Sequence, residues 1–545
     1  MAGKRRTSAL VWLRRAVQTV FLLLFFFLFL ETADHPINRA GWRVTLFFQL
    51  DPLAMLVTWL ASHAVAAGML LSLATLGITV LCGRWFCGWI CPFGALLNLF
   101  TGLRSARVKD KLDAGGYGRG QKAKYYVLAV FLGGALLGVN AVGWLDPISF
   151  FFRSMGTAVY PALNSAITSL FTWIYHANPG IGPARVTAAS EPVYEFLRRH
   201  FLAVHQPHYF GNLLIGFLFG AVIALNFYRP RFWCRYICPL GALLGAASRK
   251  PLVRLNKAAD ACNSCRLCLA DCQGGAHAPD MEQWKPAECM YCFNCRSDCP
   301  AQAISFSLGW PATKAEKQAA RLDLGRRQVL ASGAAGLGAV FLFRTHPLGS
   351  KRSYNPELVR PPGSLGEEDF LARCIRCGEC MKVCPTNAIH PAELEAGLEG
   401  VWSPVLKMKI GYCEYECTLC TQVCPSGAIR KLEVAEKRKI RIGLAYFDRD
   451  RCLPYAYART CIVCEEHCPT PRKAIWFEQA QVTTPAGERV TVKRPHIDPQ
   501  LCIGCGICVT KCVIKGQPAV LVSSVGESRN PDNGVLLKSD GPYGG

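Results

Sequence analysis

Along the first half of the chain, apolar residues do not alternate with polar ones but collect into long runs flanked by basic residues. The first covers residues 16–30, extended by 10–13, and follows Lys4, Arg5, Arg6, Arg14 and Arg15. A bilayer core roughly 30 Å thick takes about 20 helical residues, so this stretch predicts a first membrane span. Its basic flank places the N-terminus in the cytoplasm. Residues 53–81, 125–145 and 213–227 predict three further spans. Between the second and third lie Arg104, Arg107, Lys109, Lys111, Arg119, Lys122 and Lys124, as expected of a cytoplasmic loop. Residues 146–209, Phe-rich at 150–152 and poorer in basic residues, are expected outside, partly lying on the membrane. No small-residue cleavage site follows the first run, which is therefore read as a retained helix.

The net charge of +23 invites a nucleic-acid reading. The charges sit beside apolar runs, however, and 51% of the residues are hydrophobic. Membrane flanks account for the charge, and nucleic acid is excluded as a partner.

The chain holds 29 cysteines. Cys262-x2-Cys265-x2-Cys268-x3-Cys272 and Cys289-x2-Cys292-x2-Cys295-x3-Cys299-Pro300 carry the spacing of a bacterial ferredoxin with two [4Fe–4S] clusters. In that pattern each run gives three thiolates to one cluster and its fourth to the other. The expected ligand sets are Cys262, Cys265, Cys268 and Cys299, and Cys289, Cys292, Cys295 and Cys272. Zinc and disulfides explain this reciprocal arrangement poorly.

Four more groups follow: Cys374, Cys377, Cys380 and Cys384; Cys413, Cys417, Cys420 and Cys424; Cys452, Cys461, Cys464 and Cys468; Cys502, Cys505, Cys508 and Cys512. They predict four further [4Fe–4S] clusters with exchanged fourth ligands, about six in all. Spacing leaves open which groups exchange. The third group, with eight residues in its first gap, is the one expected to hold a different cluster or to lose one.

Four cysteines stand at cytoplasmic span ends, in Cys87-x3-Cys91-Pro92 and Cys234-x3-Cys238-Pro239. On a helix each pair would share a face. They form either a redox or cluster site or a set of buried packing thiols; Cys82 is read as structural. His63 falls mid-span, where a polar group is costly and often functional, either as a ligand or quinone contact or as a packing histidine. Asp146, His205 and His208 are candidate acceptors of quinol protons. Arg326-Arg327, ahead of the weakly apolar residues 331–343, has the look of a twin-arginine export signal. That route carries folded domains, as cluster-bearing ones beyond this point would require; a simple signal-anchor is the alternative.

With these motifs in view, residues 1 to about 310 resemble the NapH type of membrane protein, with a NosR-like membrane part, and residues from about 320 resemble the NapG (MauM/NapG) type of four-cluster ferredoxin. The MauN/MauM pair is similar in both halves. The expected architecture is a multidomain membrane protein, with an α-helical transmembrane bundle of four spans plus one signal-anchor helix and two α+β bacterial-ferredoxin-like domains. The domains are expected at 1–250 (membrane), 251–310 (cytoplasmic two-cluster ferredoxin), 311–350 (linker and twin-arginine-like helix) and 351–545 (periplasmic four-cluster ferredoxin). The resemblance implies a quinol dehydrogenase component, multi-pass in the bacterial inner membrane. It would pass electrons from the membrane quinone pool to a periplasmic cytochrome or reductase. The alternative is an accessory protein supplying electrons for maturation or reactivation of a periplasmic metalloenzyme.

Overall fold

The computed structural model describes residues 9–32, 42–103, 107–178, 180–181, 184–203, 206–277, 283–309, 322, 324–344, 355–484 and 486–534. Among them, one helix is long and apolar enough to cross a membrane: α1, Ala9–Glu31. At 1.5 Å per residue it is about 34 Å long. Val11, Arg14, Gln18, Phe25, Leu28 and Phe29 are buried on its inner stripe, at the spacing of one helical face. Near its start, Val11 packs with Cys272, Cys289 and Tyr291. Near its end, the Phe29 ring lies 4.9 Å from the Lys382 ammonium. This helix thus reaches from the first ferredoxin to the second, and the two stand at opposite ends of a helical bundle.

The other expected spans are shorter or broken. Residues 53–81 are not one helix but two, α2 (Pro52–Ser62) and α3 (Ser72–Cys82). His63 ends the first of them in a left-handed conformation at φ 53° and is exposed; it is therefore a helix terminus and not a mid-span residue. The third stretch is α-helical only as α5 (Ala123–Leu136), which comes after α4 (Pro92–Gly102) and a short helix at Val108–Gly115. Within residues 146–209, the start departs furthest from expectation, whereas Thr187–His200 is a helix with no buried residue. Pro147–Ser154 (α6) and Tyr160–Ala177 (α7) run on through one wide turn, and every residue of α6 is buried in the bundle. Phe151 stacks on Phe25 with ring centroids 4.5 Å apart, and Phe150 on Trp233 at 4.9 Å. Burying three consecutive phenylalanines is what takes this segment inside. Two further helices, α8 (Asn212–Tyr228) and α9 (Pro239–Ala247), complete this part.

The helix that starts at Arg326, α10 (Arg326–Arg344), lies along α5 in the same direction. Tyr126 donates to Gln328 at its start, and Arg344 donates to the Leu137 carbonyl at its end, 2.9 Å away. The backbones meet through small residues: a Cβ on Gly336 would fall 2.2 Å from the Val130 carbonyl oxygen, and one on Gly133 2.5 Å from that of Gly333. Small residues let the two backbones approach closely enough for extensive van der Waals contact. The chain therefore travels along α10 from the first ferredoxin's end of the bundle to the second's.

The first ferredoxin is closed by an antiparallel pair, β1 (Val253–Lys257) and β2 (Ile304–Leu308), with Val253 opposite Leu308. In the second, β3 (Ile389–Pro391) pairs with β4 (Pro404–Leu406), and β5 (Leu444–Phe447) with β8 (Val520–Ser523). Between those two lies the hairpin of β6 (Ile475–Thr483) and β7 (Arg489–Ile497). The Pro/Gly-rich stretch at 356–364 is packed into this domain: Val359 is buried, and Ser524 donates its N–H to the Pro356 carbonyl at 2.8 Å.

Candidate iron–sulfur centres

Each run of cysteines forms a short loop followed by a single helical turn, which points successive thiols to one side of the loop. The fourth thiol comes from the neighbouring run. Cys262, Cys265, Cys268 and Cys299 line one hollow of ≈ 380 Å³. Cys272 stands in electrostatic reach of Cys289, Cys292 and Cys295. In the second ferredoxin, Cys384 joins Cys413, Cys417 and Cys420 around ≈ 340 Å³. Cys424 stands in reach of Cys374, Cys377 and Cys380. Likewise Cys512 joins Cys452, Cys461 and Cys464 around ≈ 380 Å³, and Cys468 joins Cys502, Cys505 and Cys508 around ≈ 360 Å³. The fourth thiols of the first and second groups thus lie with each other's group, and so do those of the third and fourth, a pairing that spacing left open. The long gap between Cys452 and Cys461 carries a short helix, Leu453–Ala456, and Cys452, Cys461 and Cys464 still come together around one hollow.

These hollows fit cubanes. Backbone N–H groups point at several sulfurs, as Ala303 does to Cys299 (3.3 Å), Ile429 to Cys424 (3.4 Å) and Ala519 to Cys512 (3.4 Å), the kind of bond that tunes cluster potential. Among the described residues no group of three or more His, Cys, Asp or Glu is arranged to hold a single metal ion. Burial pushes the Cys268, Cys417 and Cys452 thiols up to about 11. Loading them with metal therefore releases protons.

At the first end of the bundle a second constellation appears. Arg84-Trp-Phe-Cys87-Gly-Trp-Ile-Cys91-Pro-Phe-Gly94-Ala-Leu-Leu and Arg231-Phe-Trp-Cys234-Arg-Tyr-Ile-Cys238-Pro-Leu-Gly241-Ala-Leu-Leu are copies of one motif. Both fold alike. A wide i→i−5 turn closes on the second cysteine, with Cys91 N–H to Phe86 O at 2.8 Å and Cys238 N–H to Trp233 O at 2.9 Å. Such turns concentrate at functional sites. The expected one-face helical pair is thus replaced by a cysteine within the turn and a cysteine that caps the next helix, its sulfur accepting from Gly94 or Gly241. All four thiols are buried in one core and within electrostatic reach of one another.

The first ferredoxin sits directly on this constellation. A Cβ on Gly88 would come 2.0 Å from the Met290 carbonyl oxygen, so only glycine lets the Cys289–Cys292 loop approach. Trp89 donates to the Tyr291 carbonyl at 3.0 Å, and Arg84 to that of Ala287 at 3.1 Å. Glu288, next to Cys289, is 3% exposed and receives Lys124, Tyr125 (2.9 Å), Gln121 (3.2 Å) and Arg84 (3.5 Å). Nothing in the spacing of cysteines pointed to Glu288; its place directly before a ligand run was the available signal.

At the other end, a Cβ on Gly143 would meet the Ile375 carbonyl oxygen at 2.0 Å. Arg153 donates to the carbonyls of Gly143 (2.9 Å) and Arg376 (2.7 Å), and Asn140 to that of Ala372 (3.0 Å). Asp146 is fully buried there and caps α6 through the Ser149 N–H (2.8 Å). Asp51, also fully buried, lies beside it and caps α2 by accepting from the Leu53 and Ala54 N–H groups. Asp51 was not foreseen, although both residues begin an Asp-Pro helix start. His208 is exposed, and its carbonyl accepts from Asn387 at 2.6 Å; His205 lies outside the described residues.

Models of 4Fe-4S binding domains match residues 64–109 and 212–257, which contain the two Cys-x3-Cys-Pro motifs, and 495–512. Models of 4Fe-4S dicluster domains match 288–389 and 373–428. The methylamine utilization ferredoxin-type protein MauM of Methylorubrum extorquens is 34% identical over 220 residues, 38% of this chain and 94% of its own length. The ferredoxin-type protein NapG of Escherichia coli is 34% identical over 210 residues, 38% of this chain and 88% of its own. An uncharacterized protein of Methanocaldococcus jannaschii is 26% identical over 273 residues, 49% of this chain and 82% of its own. No solved structure matches the chain.

Proposed function

Because the chain belongs to the MauM/NapG ferredoxin-type family, we propose that it is a membrane-integral iron–sulfur protein that takes electrons from the quinol pool and delivers them to a periplasmic cytochrome or reductase. The cysteine sets described above would hold six [4Fe–4S] clusters, which accept and release electrons singly when bound. The observation that carries the reading is the position of the two ferredoxins at opposite ends of α1. Between them the bundle presents large apolar side chains outward, among them Phe27 on α1, Ile78 on α3, Leu170 on α7, Phe217 on α8 and Phe341 on α10. A belt of this size suits lipid rather than water. It supports a NapH-type or NosR-like membrane part built from shorter and broken helices.

In this reading the bundle holds the first ferredoxin on the cytoplasmic side through Glu288 and the second on the periplasmic side through Arg153 and Arg376. Asp146 and Asp51, buried beside the second docking site, would take quinol protons. The test is reduction of the purified chain in quinone-free nanodiscs by a menaquinol analogue, followed by electron paramagnetic resonance. Cluster signals should develop with quinol. Signals that ignore quinol would overturn the reading and turn attention to maturation of a partner enzyme.

A further inference from the structure

The chain buries unusual charge at the first end of the bundle. Arg14, Arg84, Lys124, Arg231 and Arg235 are each 0–1% exposed, and among the described residues the one buried carboxylate beside them is Glu288. Arginine keeps its charge in proteins, and a buried charge without a counter-charge costs several kcal/mol or more. Five cations against one anion leave an excess of four positive charges.

Their positions say what offsets it. Arg235 donates to the carbonyls of Cys272 and Gln273, the latter at 2.9 Å, beside the first ferredoxin's second ligand set. Arg14 lies in the field of Cys292. Arg84 places a guanidinium nitrogen 4.0 Å from the Cys87 sulfur and packs against Gly241 of the other copy. In return, Arg231 donates to the Cys87 carbonyl at 2.9 Å and packs against Gly94 of the first copy. Nε of Arg84, Nε and Nη2 of Arg231 and Nε1 of Trp233 have no hydrogen-bond partner. Buried donors of this kind call for a partner, an ordered water or an anion, and beside a surplus of cations an anion also offsets the charge.

We infer that Cys87, Cys91, Cys234 and Cys238 together hold one further iron–sulfur cluster, two ligands from each copy of the motif, with Arg84 and Arg231 as its counter-ions. Either a [2Fe–2S] or a [4Fe–4S] core in its oxidised state, bound by four thiolates, is a dianion. One such centre here and one at Cys272, Cys289, Cys292 and Cys295 together balance the four excess charges. Four neutral thiols, or two disulfides, would leave half of that excess uncompensated. Loading the site exchanges four thiol protons for iron and sulfide. This rests on the cluster-binding part of the proposed function and not on quinol as donor.

Iron and acid-labile sulfide are counted in the full chain purified anaerobically in detergent, alongside Cys91→Ser/Cys238→Ser. The wild type is expected to exceed the about 24 irons that six four-iron clusters require, by two or by four according to the core. A wild type that plateaus at 24 with the other clusters intact overturns the inference, even if the double variant fails to fold. Where it folds, it should lose two to four irons and one paramagnetic signal, keeping the rest; unchanged iron also overturns the inference. Arg231→Met keeps every ligand, and should lower the midpoint potential of that one signal without loss of iron. Quinol-driven reduction of the ferredoxin signals is scored separately, so either reading can fail while the other stands.

Discussion

Both ferredoxins dock by the same device, the loop between the first two thiols of a Cys-x2-Cys run laid against a glycine of the bundle. Gly88 receives Met290 and Gly143 receives Ile375, each so closely that a Cβ would stand 2.0 Å from a carbonyl oxygen. What lies behind the glycine differs. Behind Gly88 are four thiols and a surplus of buried cations. Behind Gly143, Arg153, Arg376 and Lys382 meet Asp51, Asp146 and Glu379, nearly in balance, amid phenylalanines. One docking geometry thus serves two environments: the first end buries more cations than carboxylates, and the second buries the two in similar number.

The comparison breaks hardest at the glycines. Gly88→Val should undock the first ferredoxin while leaving the second in place, and Gly143→Val the reverse, because a backbone carbonyl cannot yield as a side chain does. Limited proteolysis with mass spectrometry reads this as release of one fragment or the other; release of both by either change would mean the ends are not independent.

Smaller is the effect of Glu288→Gln, which leaves Lys124 and Arg84 buried with a neutral partner. A loss of about 3–5 kcal/mol is expected, seen in denaturant unfolding of the first ferredoxin's absorbance. At the second end Arg153→Met strips donors from the Gly143 and Arg376 carbonyls, with an expected cost of about 1–3 kcal/mol in the same assay.

The smallest effect separates the two domains by pH. The second ferredoxin has a clasp of its own. Burial would raise the Glu367 carboxyl, but Arg360 and Arg529 outweigh it and hold Glu367 at about 2, against an ordinary 4.5. A depressed acid contributes stability that is complete above pH 4.5 and is lost as pH falls from there toward 2. Acid unfolding of the second ferredoxin should therefore lose this slope in Glu367→Gln. A slope unchanged in the variant would remove the clasp from the account.

The grouping of thiols was the most legible part of the chain. An x2 spacing confines three thiols to one short loop, so groups such as Cys289, Cys292 and Cys295 could be read before any fold was known. The apolar runs were legible as runs but not as spans: hydropathy cannot see that His63 turns left-handed or that Phe150 to Phe152 turn inward.

What the order of residues determined alone is local: how many thiols, how they group, and where basic and apolar residues alternate. What tertiary structure decided is everything that joins distant residues. It paired Cys384 with the second distal group and Cys424 with the first, brought Cys87 beside Cys234, and set Arg84 and Glu288 together. The reason is physical: a fourth ligand or a counter-ion acts through space over a few ångströms, and closing those distances is the work of the folded core, whose contacts no spacing along the chain records.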